Sequence, residues 1–279
     1  MILFSHPGKI GDLLYSLHYC TEYAAAHGWS CFDFNILTGV APIQINPKWN
    51  DPKPLLSEKD GEFIKPLLEA QSYINVVTVN GTDKGIELSK YMCCSLNQLG
   101  GDIRDYYYQV DGNMYPREFW KQLIYVDRDA KYSEYRDYIV VGRTGRYGNV
   151  LIDWKALAGY ADRMVFLGTE EEHELFRKEC FDVSGMIPWD GDSLLDCAKF
   201  MMSCRGYIGG QSGIYALAEM MKIPRILLTP DWMIPEGVQP VEGRIQAAPG
   251  PKNVNPLGGE CATANRTDRL IAALETMLA

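Results

Sequence analysis

The sequence predicts an α/β fold of two halves, each built on a parallel sheet. Three observations carry this expectation. Short apolar or β-branched runs alternate with stretches of helical length and helical apolar spacing, the pattern of βαβ units. Two glycine turns, "HPGKIG" at residues 6–11 and "GGQSG" at 209–213, each stand between such a run and a helix. The 279 residues, 47% of them hydrophobic, can supply two modest cores or one large one.

The elements follow in order. "MILFS" is short, apolar and ends at His6-Pro7-Gly8, so it reads as a strand. From Ile10, the positions Ile10, Leu13, Leu14, Leu17 and Cys20 trace one face of a helix. A strand at "CFDFNIL", a proline-rich loop through residues 42–54, a helix from Ser57 and the β-branched strand "INVVTV" at 74–79 come next. Residues 85–135 are aromatic and charged without a sustained period, and only Pro116 suggests a helix start. The alternation resumes with "YIVVGR" (strand), "IDWKALAGYA" (helix), "RMVFLG" (strand), "EEEHELFRKEC" (helix), "SLLDCAKFMMSC" (helix), "GYIGG" (strand), "SGIYALAEMMK" (helix) and "RILLTP" (strand). After a loop rich in glycine and proline, "RTDRLIAALETMLA" reads as an amphipathic helix capped by Thr267 or Asp268. The expected domains are residues 1–135 and 136–264, followed by a terminal helix at 265–279.

Charge and cysteine usage narrow the function classes. With 27 basic against 36 acidic residues the formal charge is −9, which opposes nonspecific attraction to nucleic acid. No apolar stretch has the length of a membrane span, and the amino terminus turns polar by Ser5 without the pattern of a secretory signal. A cytoplasmic location is expected. Eight cysteines form no C-x-x-C pair, so reduced and buried thiols are expected, with no zinc site.

Three segments could carry chemistry. Gly8-Lys9-Ile10-Gly11 fails as a phosphate loop, which requires Gly-Lys followed by Ser or Thr, and as a nucleic-acid clamp, which joins two helices. It either makes a tight turn with Asp12 favoured by the helix dipole, or places Asp12 where ligands collect beyond strand ends. There a carboxylate can take a proton from a bound hydroxyl. "VVGRTGRYG" sets Arg143, Thr144 and Arg146 just after a strand, where guanidiniums and a hydroxyl suit a diphosphate; a solvated turn is the alternative. "IGGQSGIYALAEMM" offers free backbone N–H groups near Ser212 and Gly213 to an anion, or an ordinary helix cap. Asp190-Gly191-Asp192 is read as a cap, so no metal is expected, and the tyrosine run 106–108 is read as packing. Of the histidines, only His6 falls in the first turn.

"KIGDLLYSLHYC" and "SCRGYIGGQSGIYALAEMMKIPRILL" together resemble the two signature segments of the bacterial lipopolysaccharide heptosyltransferases, glycosyltransferase family nine. Gly11-Asp12 matches the first segment, and Gly209, Ser212, Gly213, Leu217, Ala218 and Pro224 match the second in register. The pattern departs at Gln211, Ala216 and His18, where that family usually has Asp, His and Pro. The resemblance implies a GT-B architecture of two Rossmann-like domains facing a cleft, with the terminal helix crossing back to the first domain. It implies a metal-independent, inverting glycosyltransferase that needs no cofactor beyond its nucleotide-diphosphate sugar donor and takes a glycan or other hydroxyl acceptor. Asp12 would be the catalytic base, with His6, Lys9 and Gly11 on the acceptor side. Arg143, Thr144, Arg146, Gly168, Glu171, Gln211, Ser212 and Gly213 would hold the donor, Glu170 and Glu172 competing with Glu171 for its ribose. A nucleotide-sugar epimerase, a DNA-base glycosyltransferase and a non-catalytic nucleotide- or sugar-binding relative are the alternatives.

Overall fold

A computed structural model describes residues 1–41, 54–83, 85–93, 103–112, 121–143, 152–188, 192–210, 212–228, 261–264 and 267–279. The expected features at residues 42–53, at Pro116 and in the long glycine- and proline-rich loop lie outside these. The chain forms two compact units, the first made mainly of Met1–Tyr125 and the second mainly of the residues from Val126 onward. This division falls ahead of the one expected near residue 136.

The first unit holds a parallel sheet of four strands: β1 (Leu3–His6), β2 (Phe32–Ile36), β3 (Ile74–Val79) and β4 (Ile86–Glu87), in the order β3-β2-β1-β4. Helix α1 (Ile10–Ala26) links β1 to β2, which pair in parallel with Phe4 opposite Phe34 and His6 opposite Ile36. Phe4 meets Tyr23 and Phe32 edge-on, with ring centroids 5.6 and 5.3 Å apart, so an aromatic cluster seals α1 to the sheet. Helix α2 (Glu58–Glu69) starts where Ser57 predicted, with a reciprocal cap between Ser57 and Asp60. Helix α3 (Ile103–Asp111) forms within the aperiodic region and packs on α1.

In the second unit six parallel strands run in the order β10-β9-β8-β5-β6-β7. They are β5 (Ile139–Gly142), β6 (Met164–Gly168), β7 (Met186–Pro188), β8 (Gly206–Gly210), β9 (Arg225–Leu228) and β10 (Cys261–Ala264). Helices α4 (Glu170–Glu179), α5 (Leu194–Ser203) and α6 (Gly213–Met220) fall where the periodicity placed them. The stretch Trp154–Arg163 is a 3-10 turn sequence and not the expected α-helix. Gly159 inside it disfavours an α-helix by about 1 kcal/mol relative to alanine.

The terminal helix α7 (Thr267–Leu278), expected to cross back to the first domain, has its buried face in the second unit. Leu270 and Leu274 are fully buried in a cluster with Ile139, Trp154, Met164, Ile208 and Ile226. Burial of each leucine is worth about 1.5–3 kcal/mol, which fixes α7 to this sheet. Among the described residues no helix is long and apolar enough to cross a membrane.

Candidate functional site

In an open parallel sheet, ligands collect beyond the carboxyl ends of strands where the strand order reverses. In the first unit that point lies at the end of β1, which has β2 on one side and β4 on the other. The turn after β1 carries Gly8 and Lys9, and Ile10, Gly11 and Asp12 open α1, so both glycines and the acid stand at the reversal. Asp12 occupies the first turn of α1, where the helix dipole favours its negative charge. Lys9 is the exposed N-cap residue, and its side chain makes no capping bond.

His6, expected to face an acceptor, is fully buried and has both ring nitrogens engaged within the chain. The Gly8 N–H donates to Nδ1 at 2.7 Å, so the ring proton sits on Nε2. Nε2 lies 2.9 Å from the hydroxyl of Tyr107, on α3. That hydroxyl in turn donates to the main-chain carbonyl of Asp12 at 2.7 Å. Burial lowers the His6 pKa to about 3, which keeps the ring neutral. Gly8 is required for this arrangement, because a Cβ there would come within 2.3 Å of the His6 ring.

Tyr91 packs edge-on against Tyr107, with ring centroids 5.0 Å apart. Its buried hydroxyl lies beside that of Tyr107 but makes no well-directed hydrogen bond. Burial, and then the Asp12 charge, raise the pKa of both phenols. The tyrosine run read as packing thus supplies a polar contact to the candidate base.

In the second unit the strand order reverses between β5 and β8, which pair with Gly142 opposite Gly209. Arg143 follows β5, and Ser212 and Gly213 open α6 after β8, so these three candidates share one sheet end. Ser212 caps α6 by accepting the Tyr215 N–H at 3.2 Å. The Arg143 guanidinium pairs with Glu179 at 2.7 Å, so it is already engaged within its own unit. Thr144, Arg146 and Gln211 lie outside the described residues.

Gly168 ends β6, and α4 follows it. Glu172 is committed to a reciprocal cap with Thr169, its carboxylate accepting the Thr169 N–H at 3.1 Å. Glu171 is exposed in the first turn of α4, as is Glu170. Of the three candidates for a ribose contact, the cap therefore withdraws Glu172.

One residue at this sheet end carries no signal in the linear sequence. Tyr207, fully buried on β8, lies along the sheet toward its carboxyl edge, over Gly142 and Gly209. A Cβ at Gly209 would meet the Tyr207 hydroxyl at 2.1 Å and the Gly142 carbonyl at 2.6 Å. We expect Gly209→Ala to destabilise the protein by about 1–3 kcal/mol through overpacking, as read by chemical denaturation. A neutral change would mean that both the tyrosine and the Gly142 backbone can give way. Among the described residues no group of three His, Cys, Asp or Glu side chains is placed to hold a metal ion.

No protein-family model and no curated protein matches the chain by sequence. Solved structures do match by fold. The crystal structure of the glycosyl transferase family 9 protein from Veillonella parvula DSM 2008 is similar at a TM-score of 0.61 and 12% identity, covering 99% of this chain and 96% of that one. E. coli ADP-heptose lipopolysaccharide heptosyltransferase II is similar at a TM-score of 0.55 and 12% identity, covering 100% of this chain and 98% of that one. E. coli heptosyltransferase WaaC with ADP follows at 0.54 and 15%, with 100% of both chains covered. The chain therefore has the α/β fold of these structures, with two Rossmann-like parallel sheets.

Proposed function

We propose that the protein is a metal-independent, inverting glycosyltransferase that moves a sugar from a nucleoside-diphosphate donor to an acceptor hydroxyl. The observation that carries this reading is the placement of Asp12 at the strand-order reversal of the first sheet, in the first turn of α1. The fold likeness to glycosyltransferases, one of them solved with ADP, supports it.

In this reading Asp12 accepts the proton of the acceptor hydroxyl as its oxygen attacks the anomeric carbon. The bond from that carbon to the diphosphate breaks, and its electron pair leaves with the diphosphate. One displacement inverts the anomeric centre. The departing charge is met by the N–H groups at the start of α6, by Ser212 and by Arg143, once Arg143 exchanges Glu179 for phosphate. Thr144, Arg146 and Gln211 complete the proposed donor contacts, and Glu170 or Glu171 is left for the ribose. Lys9 and Gly11 remain on the acceptor side, a glycan or another hydroxyl compound being the acceptor. The protein acts in the cytoplasm, where nucleotide sugars are available.

The test is thermal unfolding across ADP, UDP, GDP and CDP and their sugars. A ligand present at about 100 times its Kd adds about 2.7 kcal/mol to folding stability, enough for a clear rise in Tm. One nucleoside diphosphate should raise Tm while the others leave it unchanged. No shift with any of them would remove the donor site and with it this function.

A further inference from the structure

Helix α1 begins without a side-chain cap, a contact ordinarily worth about 1 kcal/mol, yet its first turn carries the proposed base. The geometry of this turn matters, because a shift at Asp12 would misplace a carboxylate that must meet a hydroxyl within hydrogen-bond reach. A chain of three hydrogen bonds, the first two buried and the third partly so, ties this turn to α3: Gly8 N–H to His6 Nδ1 (2.7 Å), His6 Nε2–H to the Tyr107 hydroxyl (2.9 Å), and the Tyr107 O–H to the Asp12 carbonyl (2.7 Å). The donors and acceptors run in one direction, with each heteroatom used consistently.

We propose that Tyr107, backed by His6, is a positioning residue that clamps the first turn of α1 and so fixes where Asp12 presents its carboxylate. The inference rests on the reading of Asp12 as the base. It assigns a role to α3 and explains why a tyrosine and not a phenylalanine faces α1 at this position. The clamp ties the end of β1 and the start of α1 to the middle of α3, about a hundred positions away in sequence. Tyr107 is only 4% exposed and His6 not at all, so water cannot replace either partner without local opening.

Two variants break the chain at different links. Tyr107→Phe keeps the ring and removes both hydroxyl bonds, whereas His6→Asn keeps an acceptor for Gly8 and loses the donor to Tyr107. Tyr108→Phe, which loses a bond from α3 to Glu22 farther along α1, is the control. The readouts are amide hydrogen exchange over residues 8–13 and release of nucleoside diphosphate from a panel of ADP-, UDP- and GDP-sugars with water as acceptor.

For both clamp variants we expect faster exchange over residues 8–13 and a kcat lower by about ten- to a hundredfold at unchanged donor KM. The control should match the parent. Unchanged exchange, or unchanged kcat while Asp12→Asn is inactive, overturns the clamp and leaves the base standing. If Asp12→Asn releases product at the parent rate, the base reading fails and the clamp loses its purpose. Absence of turnover from every sugar in the parent overturns both.

Discussion

Asp12→Asn is expected to lower sugar transfer by about 10²–10⁴, the range that general-base help supplies, while donor affinity stays at the parent value. Asparagine keeps the shape and the hydrogen-bonding oxygen of aspartate but cannot take a proton at neutral pH. Donor affinity is spared because the groups proposed to hold the diphosphate belong to the second unit, at the ends of β5 and β8. Folding stability should change little, since a charge favoured by a helix dipole is worth only about 0.3–1 kcal/mol. Paired measurements of turnover and donor binding on the two proteins decide the matter. Transfer at the parent rate would take Asp12 out of the mechanism; loss of donor binding in step with rate would make it a binding group.

Acid should destabilise the protein through His6, and the sign follows from its burial. The folded ring has a pKa of about 3 against 6.5 for the free side chain, so between these values the unfolded chain binds a proton that the folded one refuses. Stability from this group is complete above about pH 6.5 and is lost progressively as pH falls toward 3, at about 1.4 kcal/mol per pH unit. By pH 4.5 the loss is about 2–3 kcal/mol. Denaturant unfolding at several pH values, compared with His6→Gln, isolates the contribution, because glutamine can donate to Tyr107 without titrating. Equal pH slopes for the two proteins would show that His6 is protonated in the native state. His173 shifts in the same direction and is common to both proteins, so it cancels in the comparison.

The elements that were legible in the sequence are those whose apolar pattern is their structure. Helix α1, strands β3, β5, β6, β8 and β9 and helices α4, α5 and α6 stand out by their apolar runs and helical spacing. Strands β4 and β7 span only two and three residues, too short for any period, and β10 is the small, weakly apolar run Cys-Ala-Thr-Ala; each exists because a neighbouring strand offers an edge. Helix α3 was hidden because its three consecutive tyrosines point toward different neighbours: Tyr106 toward Tyr91, Tyr107 toward His6 and Tyr108 toward Tyr19.

The candidate site divides along the same line. Asp12, Ser212 and Gly213 were visible because a glycine turn between strand and helix is a local feature. The burial of His6 could not be read from its place near the first turn, because it depends on Tyr107 about a hundred positions away. Tyr207 was missed for a similar reason. Its significance depends on Gly142 lying beside Gly209, and strand register cannot be read from either segment alone.

Tyr207 and the two glycines beneath it behave as a single lock with three wards. Enlarging Gly142 becomes tolerable only when the ring shrinks, Gly209 is also held small by the Gly142 carbonyl, and shrinking the ring alone leaves a void beside Tyr215 of α6. Any drift or redesign at this rim must therefore move in concerted steps, and effects measured one position at a time will not sum to those of the combination.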